Sequence, residues 1–194
     1  MMRVRPTIAV SGLFAAMLFA CLGQPGLVQA QTAFDLEGKF VDPLAAAGGK
    51  IVVLVFLRRD CPVSSRYAPI IQKISSEHED DVRFWLVFPD KTETSKTIQK
   101  YLQDYGYRLL GLRDPEHVLV KLAQAETTPE VAVFDHSRHL VYHGRIDNWY
   151  VEFGRPRPAP TTHELNDAIE AALFGKPVTP NAVKGVGCYI SDLD

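Results

Sequence analysis

Covalent staples and metal ligands are scarce in this chain. It has three cysteines, none in a Cys-x-x-Cys pair and none grouped with histidine at zinc-ligand spacing, which excludes a disulfide-rich scaffold and a zinc module. Positive charge is not in excess either. Against 23 acidic residues there are 21 basic ones, a net charge of −2 that lacks the electrostatic footprint binding to nucleic acid requires. A stable membrane span is not expected, because the apolar stretch Ile8 to Leu22 is shorter than a spanning helix needs and is interrupted by Ser11 and Gly12. Internal repeats and low-complexity tracts are missing, and 194 residues are too few for two large domains. What is present, 46% hydrophobic and 23% charged residues, argues for a globular chain.

Residues 1–30 have the layout of a signal peptide: a basic start (Arg3, Arg5), the apolar stretch, and Val28-Gln29-Ala30 with short side chains at the cleavage-determining positions. The sequence therefore predicts an exported, periplasmic or extracytoplasmic protein. Leu18-Phe19-Ala20-Cys21 has a loose lipoprotein-box shape, but Phe19 is bulky for such a box and Gln31 follows a conventional cleavage site, so Cys21 reads as a discarded residue. Two cysteines then remain, Cys61 and Cys188, in a compartment where disulfides persist. A structural bridge, a redox pair and a metal pair are all open.

Along the rest of the chain strand-like and helix-like patterns alternate. Ile51 to Leu57 is a continuous β-branched and aromatic run, the pattern of a strand covered on both faces. Tyr67, Ile70, Ile71 and Ile74 then recur at helical spacing. A second strand is predicted over 82–88, a helix over 98–105 ending at Gly106, a short strand over 109–112 and a short helix over 115–123. Val131 to Asp135 and Leu140 to Ile146 form a close strand pair, and Leu165, Ile169 and Leu173 mark a last helix over 162–174. Strands alternating with crossover helices, followed by a hairpin, predict an α/β fold with a central mixed β-sheet flanked by helices and the hairpin at one edge. Residues 176–194 are expected to be a tail without clear periodicity.

Chemistry concentrates in Arg58-Arg59-Asp60-Cys61-Pro62-Val63-Ser64-Ser65. Cys61 lies where a buried strand ends and a helix begins, so unpaired N–H groups and the positive end of the helix dipole favour its thiolate. Pro62 suits the first helical turn, and Arg58 and Arg59 are candidates for stabilising the thiolate, with Asp60 opposing them. Arg145 and Asp147, in Gly144-Arg145-Ile146-Asp147, share strand parity and read as an ion pair that orders the loop behind them. That loop carries Trp149, Tyr150 and Phe153, as either a docking surface or an aromatic lid.

Asp60-Cys61-Pro62 at a strand-to-helix turn, Thr127-Thr128-Pro129-Glu130 before a strand, and Gly144-Arg145-Ile146-Asp147 closing a hairpin make residues 31–175 resemble the thioredoxin-like superfamily. The nearer resemblance is to exported redoxin-domain proteins of the alkyl hydroperoxide reductase and thiol-specific antioxidant type. It implies a thioredoxin-like fold in which Thr128-Pro129 is a cis-proline pair facing Cys61 and docking an extended thiol substrate. It also implies protein thiols or disulfides, or peroxide, as partners, with an external reductant and no cofactor.

The departures are specific. Ser64 stands where thioredoxins have their second cysteine, so a local dithiol cycle is impossible. Leu54 and Arg58 occupy the proline and threonine positions of the peroxiredoxin motif. Copper-delivering relatives use Cys-x-x-x-Cys and a distant histidine. Ser65 removes that second thiol, so His136, His139 and His143 read as hairpin histidines, and no metal is assigned. Cys188, in Lys184-Gly185-Val186-Gly187-Cys188-Tyr189-Ile190, is then the candidate second catalytic residue, a resolving thiol for Cys61. The alternatives are a permanent bridge, worth roughly 4 to 5 kcal/mol in the chain-entropy model, and a bond between chains. A redox-inert binding module or a copper-chaperone-like protein is the competing functional reading.

Overall fold

The computed structural model describes residues 1–2 and 32–191. The expected signal peptide and Cys21 lie outside the described residues. In chain order the elements are β1 (Ala33–Asp35), β2 (Phe40–Val41), β3 (Ile51–Phe56), α1 (Pro62–Glu77), β4 (Val82–Phe88), α2 (Ser95–Asp104), β5 (Leu110–Arg113) and α3 (Val118–Ala123). They continue with β6 (Thr127–Thr128), β7 (Glu130–Phe134), β8 (Leu140–Gly144), β9 (Tyr150–Glu152), β10 (Arg155–Pro156), α4 (Glu164–Leu173), β11 (Ala182–Val183) and β12 (Cys188–Tyr189).

An eight-stranded mixed sheet in the order β11-β8-β7-β3-β4-β5-β1-β2 forms the centre. β3 runs parallel to β4 and antiparallel to β7, so it is hydrogen-bonded on both sides. Its unbroken apolar sequence follows from its position. Ile51, Val53 and Val55 pack with Tyr67, Ile71 and Ile74 of α1 and with Leu165 and Ile169 of α4, while Val52, Leu54 and Phe56 face Leu119, Val120 and Ala123 of α3. The period-2 alternation of a strand thus sends successive apolar residues into two separate cores.

The expected α/β architecture holds, with two differences at the margins. The β7–β8 hairpin is not the edge of the sheet, because β11, from the expected tail, adds in parallel to β8. At the opposite side β1 pairs antiparallel with β5 and carries β2 outside it. The helix predicted over 115–123 starts at Val118, since His117 takes a left-handed conformation at its N-cap and Asp114 accepts the N–H groups of Val118 and Val120 at 2.8 and 2.9 Å.

Gly144 joins β8 to β11. Its φ is +133°, and a Cβ there would lie 1.9 Å from the Val183 carbonyl oxygen. Gly144→Ala is therefore expected to unseat β11 and lower stability by about 2 kcal/mol. Urea denaturation checks this, and an unchanged midpoint would contradict the close approach.

Candidate functional site

The site starts from the end of β3. Buried as far as Leu57, the chain turns through Arg58, Arg59 and Asp60, and Cys61 becomes the N-cap of α1 with φ −85° and ψ 113° and Pro62 behind it. This is the strand-to-helix position anticipated for a reactive thiol, where unpaired helix N–H groups converge. Cys61 is 0% exposed. Ser64, also fully buried and standing where a local second cysteine would be, accepts the Arg58 N–H through Oγ at 3.4 Å.

Across from Cys61, β6 presents the main chain of Thr128. The Thr128–Pro129 peptide bond is cis, and the Cys61 thiol donates to the Thr128 carbonyl oxygen at 3.1 Å. The tail reaches the same edge. β12 pairs antiparallel with β6, setting Cys188 opposite Thr128 and Tyr189 opposite Thr127. Thr128 Oγ1 donates to the Cys188 carbonyl at 3.3 Å, and the Ile190 N–H donates to the Glu126 carbonyl at 2.9 Å. Cys188 Sγ is thereby brought to 2.7 Å from Cys61 Sγ, although 127 positions separate the two in sequence. Both are free thiols in this structure.

The two sulfurs differ electrostatically. Burial opposes ionisation of Cys61, but hydrogen bonds from the Cys188 thiol and from Ser64 outweigh it and hold the Cys61 thiol below its ordinary value. For Cys188, burial, the hydrogen bond to Cys61 and the charge that forms there all act upward and push the thiol up to about 12, against a smaller downward influence of Arg58. Of the two thiols, Cys61 is therefore the one favoured to ionise and Cys188 the one held protonated.

The two candidate arginines occupy other positions. Arg58 donates to Asp60 Oδ2 at 2.9 Å, lies 3.5 Å from Asp90, and donates from Nη1 to the Tyr189 carbonyl at 3.3 Å, so it holds the tail. Arg59 is exposed, and its main-chain N–H goes to Glu93 Oε1 at 3.0 Å. The Cys61 sulfur meets the Thr128 carbonyl and the Cys188 thiol, with Ser64 on the same sulfur, and neither guanidinium is among these contacts.

Arg145 and Asp147 do not pair with each other. Arg145 Nε donates to Glu164 Oε1 at 2.9 Å, whereas Asp147 accepts the Tyr67 hydroxyl at 2.5 Å and the Trp149 N–H at 2.8 Å. The loop behind them is divided. Trp149 and Tyr150 pack on Tyr67 with ring centroids 5.5 and 6.1 Å away, while Val151 and Phe153 are exposed. The hairpin histidines are dispersed among different partners: His136 on the Gly49 carbonyl at 2.7 Å, His139 beside Asp135 at 3.5 Å, and His143 beside Glu130 at 3.7 Å. Among the described residues no three His, Cys, Asp or Glu side chains are grouped to hold a metal ion, and no helix is long and apolar enough to cross a membrane.

Two buried acids beside the site, Glu130 and Glu93, carry roles that the sequence did not assign to them. Glu130 accepts the N–H groups of Glu126 and Thr127 and the Thr127 hydroxyl through Oε2 at 3.0, 2.9 and 3.1 Å, fixing the segment that presents Thr128. Glu93 braces the turn before Cys61 through Arg59, and burial raises its carboxyl above the usual range. A single acid opening the otherwise apolar run Glu130-Val131-Ala132-Val133-Phe134 was the available signal for the first.

No family model matches the sequence, and no curated protein matches it. Solved structures do. A hypothetical protein from Sinorhizobium meliloti aligns over 82% of this chain and 88% of its own with 23% identity and a TM-score of 0.69. A secreted disulfide oxidoreductase from Mycobacterium tuberculosis, homologous to DsbE of E. coli, aligns over 72% and 94% with 19% identity and a TM-score of 0.51. A thioredoxin-like protein from Aeropyrum pernix aligns over 74% and 88% with 15% identity and a TM-score of 0.53. The chain has a thioredoxin-like fold.

Ultraviolet titration of the reduced protein is expected to resolve two thiolate steps, one lowered from the ordinary thiol value and one near 12. In Cys188→Ala the first step should move upward, because burial of Cys61 then goes uncompensated by the Cys188 hydrogen bond. A single two-proton step at the free-thiol value would contradict the coupling.

Proposed function

We propose that this protein is an exported thiol–disulfide oxidoreductase whose working couple is Cys61 with Cys188, the tail supplying the second thiol that position 64 lacks. The observation that carries the reading is the 2.7 Å separation of the two sulfurs beside the cis Thr128–Pro129 bond. The Cys61 thiolate attacks a partner disulfide, bonds to one sulfur and expels the other as a thiolate. Cys188 then gives up its proton and attacks the Cys61 sulfur, expelling the second partner thiolate. Two electrons have passed to the partner, and a Cys61–Cys188 disulfide remains for an external dithiol to reopen. The polarisation of the pair suits this order, since Cys61 carries the charge at the start and Cys188 is activated as it attacks. Export through residues 1–30 places the couple in the periplasm or a comparable space, where such a disulfide persists.

Thiol exchange is preferred to peroxide reduction on two residues. Leu54 is fully buried in the α3-side core, and the Arg58 guanidinium is committed to Asp60, Asp90 and the tail, so neither stands at Cys61 as a polar group for a peroxide. Thr128 and Pro129 are assigned the docking of the partner's main chain.

The test is catalysed reduction of a protein disulfide by the pre-reduced protein, with a dithiol as recycling reductant. Cys61→Ser is expected to be inactive. Cys188→Ser should accumulate a mixed disulfide on Cys61 and turn over roughly 100-fold more slowly, because the intramolecular step is lost. Hydrogen peroxide consumption without disulfide exchange, or full activity of Cys188→Ser, would overturn the reading.

A further inference from the structure

With the tail in place, no exchange partner meets Cys61 directly. The sulfur is 0% exposed, and one side of it is taken by Thr128 and the other by Cys188. A partner sulfur has to come within bonding distance of Cys61, and the Cys188 sulfur occupies such a place.

The tail is held there largely through its main chain: the β12–β6 pairing, Thr128 Oγ1 on the Cys188 carbonyl, Arg58 Nη1 on the Tyr189 carbonyl and the Ile190 N–H on the Glu126 carbonyl. Such contacts do not depend on side-chain identity, so any extended segment can make them. Two positions are tight: a Cβ on Gly185 would lie 2.7 Å from the Thr127 side-chain oxygen, and the firmer limit is at Gly187. A Cβ on Gly187, the residue directly before Cys188, would lie 2.0 Å from the Thr128 carbonyl oxygen and 2.7 Å from its carbon. These are main-chain atoms of the docking edge, fixed from behind by Glu130, so the edge cannot yield. On the other side there is room: Tyr189 is 68% exposed and borders an open depression lined by Tyr150, Phe153, Arg157 and Lys184. Ile190, 5% exposed, drops into the α3-side core and acts as the anchor.

We infer that a partner segment docking on the Thr127–Thr128 edge is selected for glycine directly before its cysteine, and that the chain's own Lys184–Ile190 segment fills this seat until the partner displaces it. The inference rests on the reading of Cys61 as an exchanging thiol. It adds a selection rule and a competitor: the tail is both the second thiol and a substitute for the substrate. In the docked complex the Cys61 thiolate attacks the partner cysteine's sulfur, forms the mixed disulfide and releases the group formerly bonded to that sulfur with its electron pair.

The test uses the full chain carrying Cys188→Ser and two pentapeptides, acetyl-Val-Gly-Cys-Tyr-Ile-amide and its Val-Ala-Cys-Tyr-Ile counterpart. Each is activated as a mixed disulfide with thionitrobenzoate, whose release reports attack by Cys61. Adding Ile190→Ser, which removes the anchor, is expected to accelerate the glycine peptide by about tenfold or more, and in that variant the glycine peptide should outrun the alanine peptide by a similar factor. Gly187→Ala, which unseats the tail by steric conflict instead, should accelerate the glycine peptide equally and serves if Ile190→Ser loses its fold by circular dichroism. Equal rates for the two peptides would overturn the selection rule. Rates indifferent to both tail variants would overturn the competitor and point to exchange through Cys188 with the tail seated. Either failure is separable from failure of the oxidoreductase reading, in which Cys61 releases no thionitrobenzoate from either peptide in any variant.

Discussion

Two residue pairs, Cys188 opposite Thr128 and Tyr189 opposite Thr127, decide where the tail sulfur sits. The rest of the site depends on that short antiparallel contact. β6 has its position because Glu130, buried at the start of β7, gathers the N–H groups before Pro129 onto one carboxylate oxygen. β7 is held in turn by β3, the strand that ends in the turn to Cys61. One sheet therefore sets both sulfurs, one from the carboxyl end of its central strand and the other by strand addition to a segment the same sheet fixes. Ile190 closes the arrangement, since burying a side chain of that size contributes about 1.5–3 kcal/mol to keeping a two-residue strand in register.

The chemistry follows from placing two thiols in one desolvated space. Burial alone would leave both protonated. Because Cys188 donates to Cys61, and Ser64 supports the same sulfur, ionisation is favoured at the cysteine at the helix start and opposed at the other. Ser64 leaves the α1 turn that begins at Cys61 without a second thiol. Here the second comes from the far end of the chain, so closing the couple and covering the thiol are the same event.

The central fold was legible because its signals are long and local. The Ile51 to Leu57 run, the Tyr67–Ile74 spacing and the β7–β8 alternation each specify an element by periodicity, and Cys61-Pro62 at the junction located the thiol. The two-residue strands were not legible. Ala182–Val183 and Cys188–Tyr189 are too short to carry a period, and their pairing is decided by glycines that permit close approach, Gly144 against Val183 and Gly187 against Thr128. Charged partners were opaque for a similar reason. Arg145 and Asp147 share strand parity, but Glu164 and Tyr67, distant in sequence, offer each a better partner. Arg58 was expected at the thiolate, yet two carboxylates and a tail carbonyl lie within its reach.

The proposed function requires Cys61 and Cys188 of one chain to form a reversible couple. Peptide mapping of the oxidised protein by mass spectrometry under non-reducing conditions tests it most directly. A Cys61 peptide linked to a Cys188 peptide is expected in the monomeric species, the link disappearing on reduction and returning on reoxidation. Two unlinked thiols after oxidation, or a link found only between chains, would contradict it.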